Sequence, residues 1–191
     1  YTLGAIAVPV TTRLTIREVS EFCQDCDAKM LAFHKDQGPG LADLLKQRSD
    51  MTAVVVGGNS PGATSFAKLP RPVSNVLPLV PSDQVECMIN YTSGTTGRPK
   101  GIVHAHRWVI ALGDSNCYRV PTAANDRVYA TGEWSFISAL GHNVLFPLRN
   151  GVTGGILEGR MHPERVLKAI EVLGITVLYS DATVYRRILA I

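Results

Sequence analysis

The sequence is poor in cysteine, in aromatic residues and in any excess of one charge. It has four cysteines in 191 residues, 7% aromatic residues, and 19 basic against 16 acidic side chains, for a net charge of +3. A protein that binds nucleic acid normally carries a basic patch or run, and none is found in this sequence. We therefore expect no nucleic-acid partner.

Long apolar runs are also missing. No stretch approaches the roughly 20 apolar residues that a membrane-spanning helix needs. Residues 1–10 are apolar, but they lack a basic flank and contain Pro9, which argues against a secretory signal. The composition, 46% hydrophobic and 18% charged, is typical of a globular protein. We expect a cytoplasmic protein, and because the chain starts at Tyr1 inside an apolar run, an internal fragment of a longer one.

Two of the cysteines form the pattern Cys23-x-x-Cys26, which occurs in metal and redox sites. Here the pair falls within a predicted helix, and no second pair follows at the spacing of a zinc site. The pattern therefore favours two reduced cysteines, and we predict no metal ligands in the chain.

Short apolar runs alternate with helical patterns along the chain. Thr15 and Glu18 form a capping box at the start of one helix, and Pro163 and Gly174 bracket another. The first helix is predicted to bury Ile16, Val19, Phe22, Cys23 and Cys26. Predicted strands span 5–10, 29–33, 52–56, 85–91, 126–131, 152–157 and 175–179, and predicted helices begin near 15, 41, 104, 138, 163 and 183. This alternation predicts an α/β fold of mostly parallel sheets flanked by helices.

The stretch 57–81 interrupts this pattern. It holds five prolines together with several Gly, Ser and Asn residues. We interpret it as a surface connection or a junction between two subdomains, within a single domain that spans 1–191.

A loop rich in glycine and hydroxyl residues follows the strand predicted at 85–91. Glycine allows tight turns and close approach of backbone amides to a ligand, and hydroxyls and a lysine add further donors. Such a loop between an apolar strand and an apolar helix predicts a polyphosphate site. The residues concerned are Thr92, Ser93, Gly94, Thr95, Thr96, Gly97, Lys100 and Gly101.

Two familiar phosphate loops do not match. In the P-loop, Lys and Ser/Thr follow the second glycine, whereas here Gly97 is followed by Arg98 and Pro99. The dinucleotide fingerprint G-x-G-x-x-G fails because Gly94 and Gly97 are spaced G-x-x-G. A flexible Ser/Thr/Gly linker is the remaining alternative, but a linker would not need an apolar strand before it and an apolar helix after it.

The run from Tyr91 to Gly101 resembles the signature loop of the adenylate-forming superfamily. This superfamily comprises acyl- and aryl-CoA ligases, luciferases and peptide-synthetase adenylation domains. Residues 3–10 with Arg13-Leu14-Thr15 are similar to an early motif of the same superfamily, and His104-Ala105-His106 looks most like its benzoate-CoA ligase branch. The resemblance implies part of the large N-terminal domain of an enzyme that uses ATP, CoA and a carboxylic acid. It also implies that ATP phosphates bind Thr92, Ser93, Gly94, Thr95, Thr96, Gly97 and Lys100.

A second resemblance lies at Trp134 to Gly141, where the family has its acyl-pocket motif. It implies that the pocket is lined by Phe136, Ala139 and Gly141. Many members have His at the place of Phe136 and Gly at the place of Ala139. Trp134 is interpreted as core or pocket wall, His142 as a solvated or capping histidine, and Glu133 as a residue without an acid/base role. His104 and His106 are interpreted as helix N-terminal residues beside the loop.

Other family motifs are not found in the chain. These are the segment whose glutamate holds Mg²⁺, the ribose-binding Asp, the hinge and the late lysine, so the chain is expected to lack the C-terminal domain and any catalytic residue. The resemblance implies a fragment of an acid–CoA ligase that is inactive alone. A non-catalytic phosphate-binding fragment, a peptide-synthetase adenylation domain and a luciferase-like enzyme remain the alternatives.

Overall fold

The computed structural model describes residues 4–70, 82–92, 99–157, 159 and 161–191. The chain divides into two compact units, with boundaries after Thr11 and Pro78. Among the described residues, the smaller unit holds 12–70 and the larger unit holds 4–11 together with the residues from 82 onward. Each unit contains a three-stranded parallel sheet, which confirms the predicted fold class.

The smaller unit is a β-sheet in the order β1-β2-β3 with two helices. β1 and β2 run parallel, in register from Met30–Thr52 to His34–Val56. Apolar residues of β2 and of the second helix form its core, in which Val55 is completely buried. The elements are α1 (Ile16–Asp25), β1 (Met30–His34), α2 (Gly38–Gln47), β2 (Thr52–Val56) and β3 (Thr64–Ser65).

The predicted capping box at the start of α1 is confirmed. The Thr15 backbone N–H donates to the Glu18 carboxylate at 2.7 Å, and the Glu18 N–H donates to the Thr15 hydroxyl at 3.3 Å. Phe22 is buried as predicted, but the prediction for Ile16 is wrong, since 37% of it is exposed. Ile16 occupies the first helical position, so it reaches the edge of the unit rather than its core.

The larger unit combines an antiparallel hairpin with a parallel sheet in the order β7-β6-β8. β4 and β5 form the hairpin, and α3 follows it directly. The elements are β4 (Glu86–Thr92), β5 (Lys100–Ala105), α3 (His106–Arg119), β6 (Arg127–Ala130), α4 (Ile137–Leu140), α5 (Phe146–Asn150), β7 (Thr153–Gly154), α6 (Pro163–Leu173), β8 (Val177–Tyr179) and α7 (Ala182–Ile188).

The structure corrects the prediction of a helix directly after the glycine-rich loop. Residues 100–105 form β5, and the helix begins at His106 instead of His104. The loop therefore connects two antiparallel strands. The β-branched pair Ile102-Val103 favours the strand, and pairing with β4 supplies the hydrogen bonds that stabilise it.

Two predicted strands are shorter than expected. Residues 5–10 make a single parallel bridge, between Ala7 and Met88, and residues 152–157 contribute Thr153–Gly154 to the sheet. Pro9 cannot donate a ladder hydrogen bond, and the adjacent glycines 154 and 155 offer no side chains to pack, which weakens both strands.

The helix predicted at 138–149 is interrupted by a π-helical turn, Gly141–Leu145. The Phe146 N–H donates to the Gly141 carbonyl, five residues back, and Pro147 has no N–H to donate to Asn143. The predicted end near Gly151 is confirmed, since this glycine has a left-handed φ of 68°. No helix in the described part of the chain is both long enough and apolar enough to cross a membrane.

Candidate functional site

One face of the β4–β5 hairpin carries the two described residues that were predicted to contact phosphate. Thr92 lies directly opposite Lys100, and Asn90 lies opposite Ile102 in the same register. Directly opposed residues of an antiparallel pair project from the same face, and so do residues two positions apart. Thr92, Lys100 and Asn90 therefore share one face, at the end of the hairpin where the glycine-rich loop connects the strands.

The two described phosphate-binding candidates are available to a ligand. Thr92 and Lys100 are both exposed. Within the described residues the Lys100 side chain has no ion pair or hydrogen bond, so its ammonium group can attract an anion. The other predicted members, Ser93, Gly94, Thr95, Thr96 and Gly97, lie outside the described residues.

Asn90 is a feature of this face that sequence analysis missed. It is 6% exposed, and neither atom of its side-chain amide has a hydrogen-bond partner within the described part of the chain. A buried amide is normally hydrogen-bonded. Its position in the sequence, in an otherwise apolar predicted strand, was the available signal.

The two histidines after the loop have different environments. His104 is on β5, not at a helix start, and its ring lies 4.1 Å from the ring of Trp108. Burial lowers the pKa of His104, which favours the neutral imidazole. His106 is the first residue of α3, as predicted.

Neither the histidines nor the cysteines assemble a metal site in the described residues. No group of three or more His, Cys, Asp or Glu side chains is placed to hold an ion there. Cys23 is buried on α1, and burial raises the pKa of its thiol, which disfavours the thiolate that binds metals.

The predicted acid-pocket residues occupy different environments around α4. Phe136 precedes the helix and is 63% exposed, whereas Ala139 and Gly141 are buried. Leu112 of α3 lies against Gly141, where an added methyl group would be 2.9 Å from Leu112 Cδ2. Phe136 is therefore the predicted pocket residue with the most surface open to a ligand.

Asn143 attaches the π-helical turn to the parallel sheet. Its side-chain amide donates to the Ala130 carbonyl at 2.8 Å, and its oxygen accepts from the Ala130 N–H at 2.7 Å. Beyond the end of β7, Asn143 thus supplies the hydrogen bonds that a neighbouring strand would make. Sequence analysis missed this role, although Pro147 in the same predicted helix signals an irregular turn.

His142 lies against the last residue of β8. Its ring centroid is 3.9 Å from that of Tyr179, and Phe146 meets Tyr179 edge-on at 6.4 Å. The Nδ1–H of His142 donates to the Ser138 carbonyl at 2.6 Å, and Nε2 lies 3.2 Å from Asn116 Oδ1. His142 was predicted to be a solvated or capping residue. In the structure it is hydrogen-bonded to Ser138 of α4, and it lies next to Asn116 of α3 and the Tyr179 ring.

Two further contacts lie near the carboxyl ends of β6 and β8. The Thr131 and Ser180 hydroxyls are 2.5 Å apart, just beyond β6 and β8. Glu133 accepts a hydrogen bond from the hydroxyl of Thr11. In parallel α/β sheets, ligands bind outside the carboxyl ends of the strands.

Comparison with known proteins decides the family. The AMP-binding enzyme family matches residues 1–190 of the chain. The chain belongs to the AMP-binding enzyme family. This membership confirms the resemblance that the loop motif indicated.

Relatives within the family include several CoA ligases. The chain is 28% identical over 193 residues to the 3-hydroxybenzoate–CoA ligase of Aromatoleum sp. (strain CIB), covering 98% of this chain and 36% of that protein. It is 33% identical over 157 residues to the long-chain-fatty-acid–CoA ligase FadD13 of Mycobacterium tuberculosis (strain ATCC 25618 / H37Rv), covering 79% of this chain and 29% of FadD13. The chain thus spans about a third of the length of these relatives.

Solved structures share the fold. The anthranilate CoA ligase AuaEII, crystallised with anthranoyl-AMP, matches with a TM-score of 0.88 and 29% identity over 100% of this chain and 38% of AuaEII. The N-terminal domain of FACL13 from Mycobacterium tuberculosis matches with a TM-score of 0.78 and 25% identity, over 100% of this chain and 47% of that one. The expected N-terminal-domain fold is therefore confirmed.

Proposed function

We propose that this chain is part of an ATP-dependent carboxylic acid–CoA ligase that activates an aryl or acyl acid. The observation that carries the proposal is the pairing of Thr92 with Lys100 on one face of the hairpin, in a chain of the AMP-binding enzyme family. The CoA ligases among its relatives support this reaction class over the alternative of a fragment that only binds phosphate.

In the proposed reaction, a carboxylate oxygen of the acid attacks the α-phosphorus of ATP. The bond to the bridging oxygen breaks, which gives an acyl-adenylate and pyrophosphate. The CoA thiol then attacks the acyl carbon, and AMP leaves with the phosphate oxygen while the thiol proton passes to solvent. No described residue is assigned to a proton transfer.

The role of the hairpin in this reaction is electrostatic. Thr92 and Lys100, with Ser93, Gly94, Thr95, Thr96 and Gly97, would hold the β- and γ-phosphates of ATP. A lysine and hydroxyl donors at this position neutralise charge that accumulates on the departing pyrophosphate. Phe136, Ala139 and Gly141 would line the acid pocket.

Other parts of the proposed enzyme would come from outside these 191 residues. We propose that the Mg²⁺ ligand, the ribose contacts and a mobile C-terminal domain belong to a longer parent protein. The four cysteines are free thiols, two of them buried, which agrees with a reducing compartment, and we propose a cytoplasmic location.

The parent's reaction can be measured as AMP release that depends on ATP, on CoA and on an acid. The substrate panel contains benzoate, fatty acids and amino acids. We expect turnover with an aryl or acyl acid, and loss of turnover when CoA is omitted. Activity with amino acids alone would contradict the proposal. The isolated 191-residue chain serves as the matched control and should show no acid-dependent exchange of pyrophosphate into ATP.

A further inference from the structure

Helix α1 ends in a turn that carries two cysteines. The Ala28 N–H donates to the Cys23 carbonyl at 2.9 Å, and the Asp27 N–H donates to the Gln24 carbonyl at 3.3 Å. These two bonds form the Schellman motif, which ends many helices. Within it, Cys23 lies in the last turn of the helix, and Cys26 is the residue at which the helix ends.

Arg48, the residue after α2, holds this turn in place. Its guanidinium group donates to the Cys23 carbonyl at 3.4 Å and to the Ala28 carbonyl at 3.2 Å. Ala28 also packs against the apolar core that contains Cys23. The backbone that carries the two cysteines therefore has one defined arrangement.

The spacing of Cys23 and Cys26 is close to that of a disulfide. Residues three apart in a helix have Cβ atoms about 5–6 Å apart. A disulfide needs Cβ atoms about 3.5–4.5 Å apart, so the two sulfurs can bond after a shift of about 1–2 Å in the turn. Asp27 is exposed and has a left-handed φ of 47°, and this unusual conformation makes it the point at which the turn can rearrange.

The two thiols differ in exposure. Cys26 is half-buried, whereas Cys23 is only 5% exposed. Burial raises the pKa of the Cys23 thiol, and a negative charge on Cys26 raises this pKa further, while Arg48 lowers it. Because thiolates are the reactive form, an oxidant reacts first with Cys26. Cys23 reacts second, with a sulfur that is already attached to its neighbour.

We propose that Cys23 and Cys26 form a reversible redox site that reacts with low-molecular-weight disulfides. Cys26 loses its thiol proton to solvent, and its thiolate attacks one sulfur of the disulfide, which releases one thiolate and leaves a mixed disulfide on Cys26. Cys23 then loses its proton, and its thiolate attacks the Cys26 sulfur, which closes the bond between the two cysteines and expels the second thiolate. The released thiolates take up the two protons, so two cysteine thiols are oxidised and one disulfide is reduced to two thiols.

The closed form of this site is expected to be easily reduced. Closing the bond strains the Schellman turn, and strained disulfides are reduced more readily than structural ones. The site is therefore reduced under ordinary cellular conditions and becomes oxidised when small disulfides accumulate. This inference is independent of the proposed acid-activating function, because it involves no residue assigned to that reaction.

The test equilibrates the 191-residue chain with glutathione disulfide, blocks the remaining thiols by alkylation, and analyses the tryptic peptides by mass spectrometry. Cleavage after Arg17 and Lys29 places both cysteines in one peptide, 18–29. We expect this peptide to lose the mass of two hydrogen atoms and to escape alkylation, and dithiothreitol should reverse both changes. Cys117 is a half-buried cysteine of α3 with no other cysteine near it in the sequence, so it serves as the internal control and should not proceed beyond a mixed disulfide.

Two variants separate the steps. Cys23→Ala should retain glutathione on Cys26, because the second thiol is missing. Cys26→Ser should leave Cys23 reduced, because a buried thiol reacts slowly. A wild-type peptide that stays reduced, or that keeps glutathione on Cys26 without closing, overturns the inference.

A time course on wild type covers the case in which a variant does not fold. Samples quenched with acid should carry glutathione on Cys26 before the closed peptide accumulates, and glutathione found first on Cys23 overturns the inference. In denaturant both thiols are exposed, so the preference for Cys26 should be lost. An equal preference for Cys26 in the folded and the denatured chain also overturns the inference, since the fold would then have no part in the reaction.

Discussion

Thr92 and Lys100 are direct partners across the β4–β5 hairpin, so that their side chains project from the same face where the glycine-rich loop begins and ends. The hairpin thereby positions a hydroxyl and an ammonium group side by side. This arrangement depends on pairing between two strands and not on a helix N-terminus. The phosphate site proposed here is accordingly held by cross-strand hydrogen bonds.

Asn143 provides a first prediction, because it makes two hydrogen bonds to the backbone of Ala130 in a buried environment. Asn143→Leu should destabilise the chain by about 2–4 kcal/mol, since a buried N–H and a buried C=O both lose their partner. Denaturant unfolding measures this. Asn125→Ala, at an exposed turn, is the control and should change stability by less than about 0.5 kcal/mol. A similar loss of stability in Asn143→Leu and Asn125→Ala would contradict the structural role assigned to Asn143.

Gly154 provides a second prediction, through its contact with the π-helical turn. A methyl group on Gly154 would lie 2.2 Å from the backbone oxygen of Asn143, which cannot move without displacing the turn. Gly154→Ala should therefore destabilise the chain by about 2–3 kcal/mol in thermal or denaturant unfolding. In the control Gly58→Ala, the new methyl group meets the flexible Lys35 side chain at 3.0 Å, and a much smaller effect is expected. Equal stability of Gly154→Ala and wild type would show that the turn is placed differently.

Glu18 provides a prediction for pH. Hydrogen bonds from the Thr15 backbone and side chain hold the pKa of Glu18 below its ordinary value of 4.5. The ionised carboxylate therefore stabilises the folded state above that pH, and the contribution is lost as the pH falls through the lowered pKa. Glu18→Gln should be less stable than wild type at pH 7, with the difference shrinking as the pH falls through the lowered pKa of Glu18.

Unfolding curves of both proteins from pH 7 to pH 3 check this expectation. Thr15→Ala is the companion variant, because it removes the hydroxyl partner of Glu18 and should lose about 1 kcal/mol at pH 7. A difference between Glu18→Gln and wild type that does not change as the acid range is scanned would contradict the proposed origin in the carboxylate charge.

Local signals in the sequence predicted the elements that depend on local contacts. The Thr15–Glu18 capping box and the helix from Pro163 to Gly174 are formed within a few residues, and both are confirmed. β5, which depends on pairing with another strand, was misplaced. β5 needs β4 to satisfy its backbone, and the loop glycines before it concealed its strand pattern.

In the candidate site, too, local sequence predicted some features, while others depend on the folded structure. The loop composition indicated a phosphate site, and Thr92 and Lys100 could be named from it. The unpartnered side-chain amide of Asn90 could not, because its lack of a hydrogen-bond partner among the described residues is visible only after folding. That property depends on every neighbour in space, which the sequence alone does not give.

Binding of inorganic pyrophosphate to the 191-residue chain tests the central claim most directly. Calorimetry on wild type, Lys100→Ala and Lys168→Ala compares the hairpin lysine with an exposed lysine of α6 in the same unit. We predict saturable binding to wild type and to Lys168→Ala, and an affinity about 10- to 100-fold lower for Lys100→Ala, as expected for the loss of one charge-assisted hydrogen bond. Equal affinity of the two lysine variants, or no saturable binding to wild type, would contradict the claim that this hairpin holds phosphate.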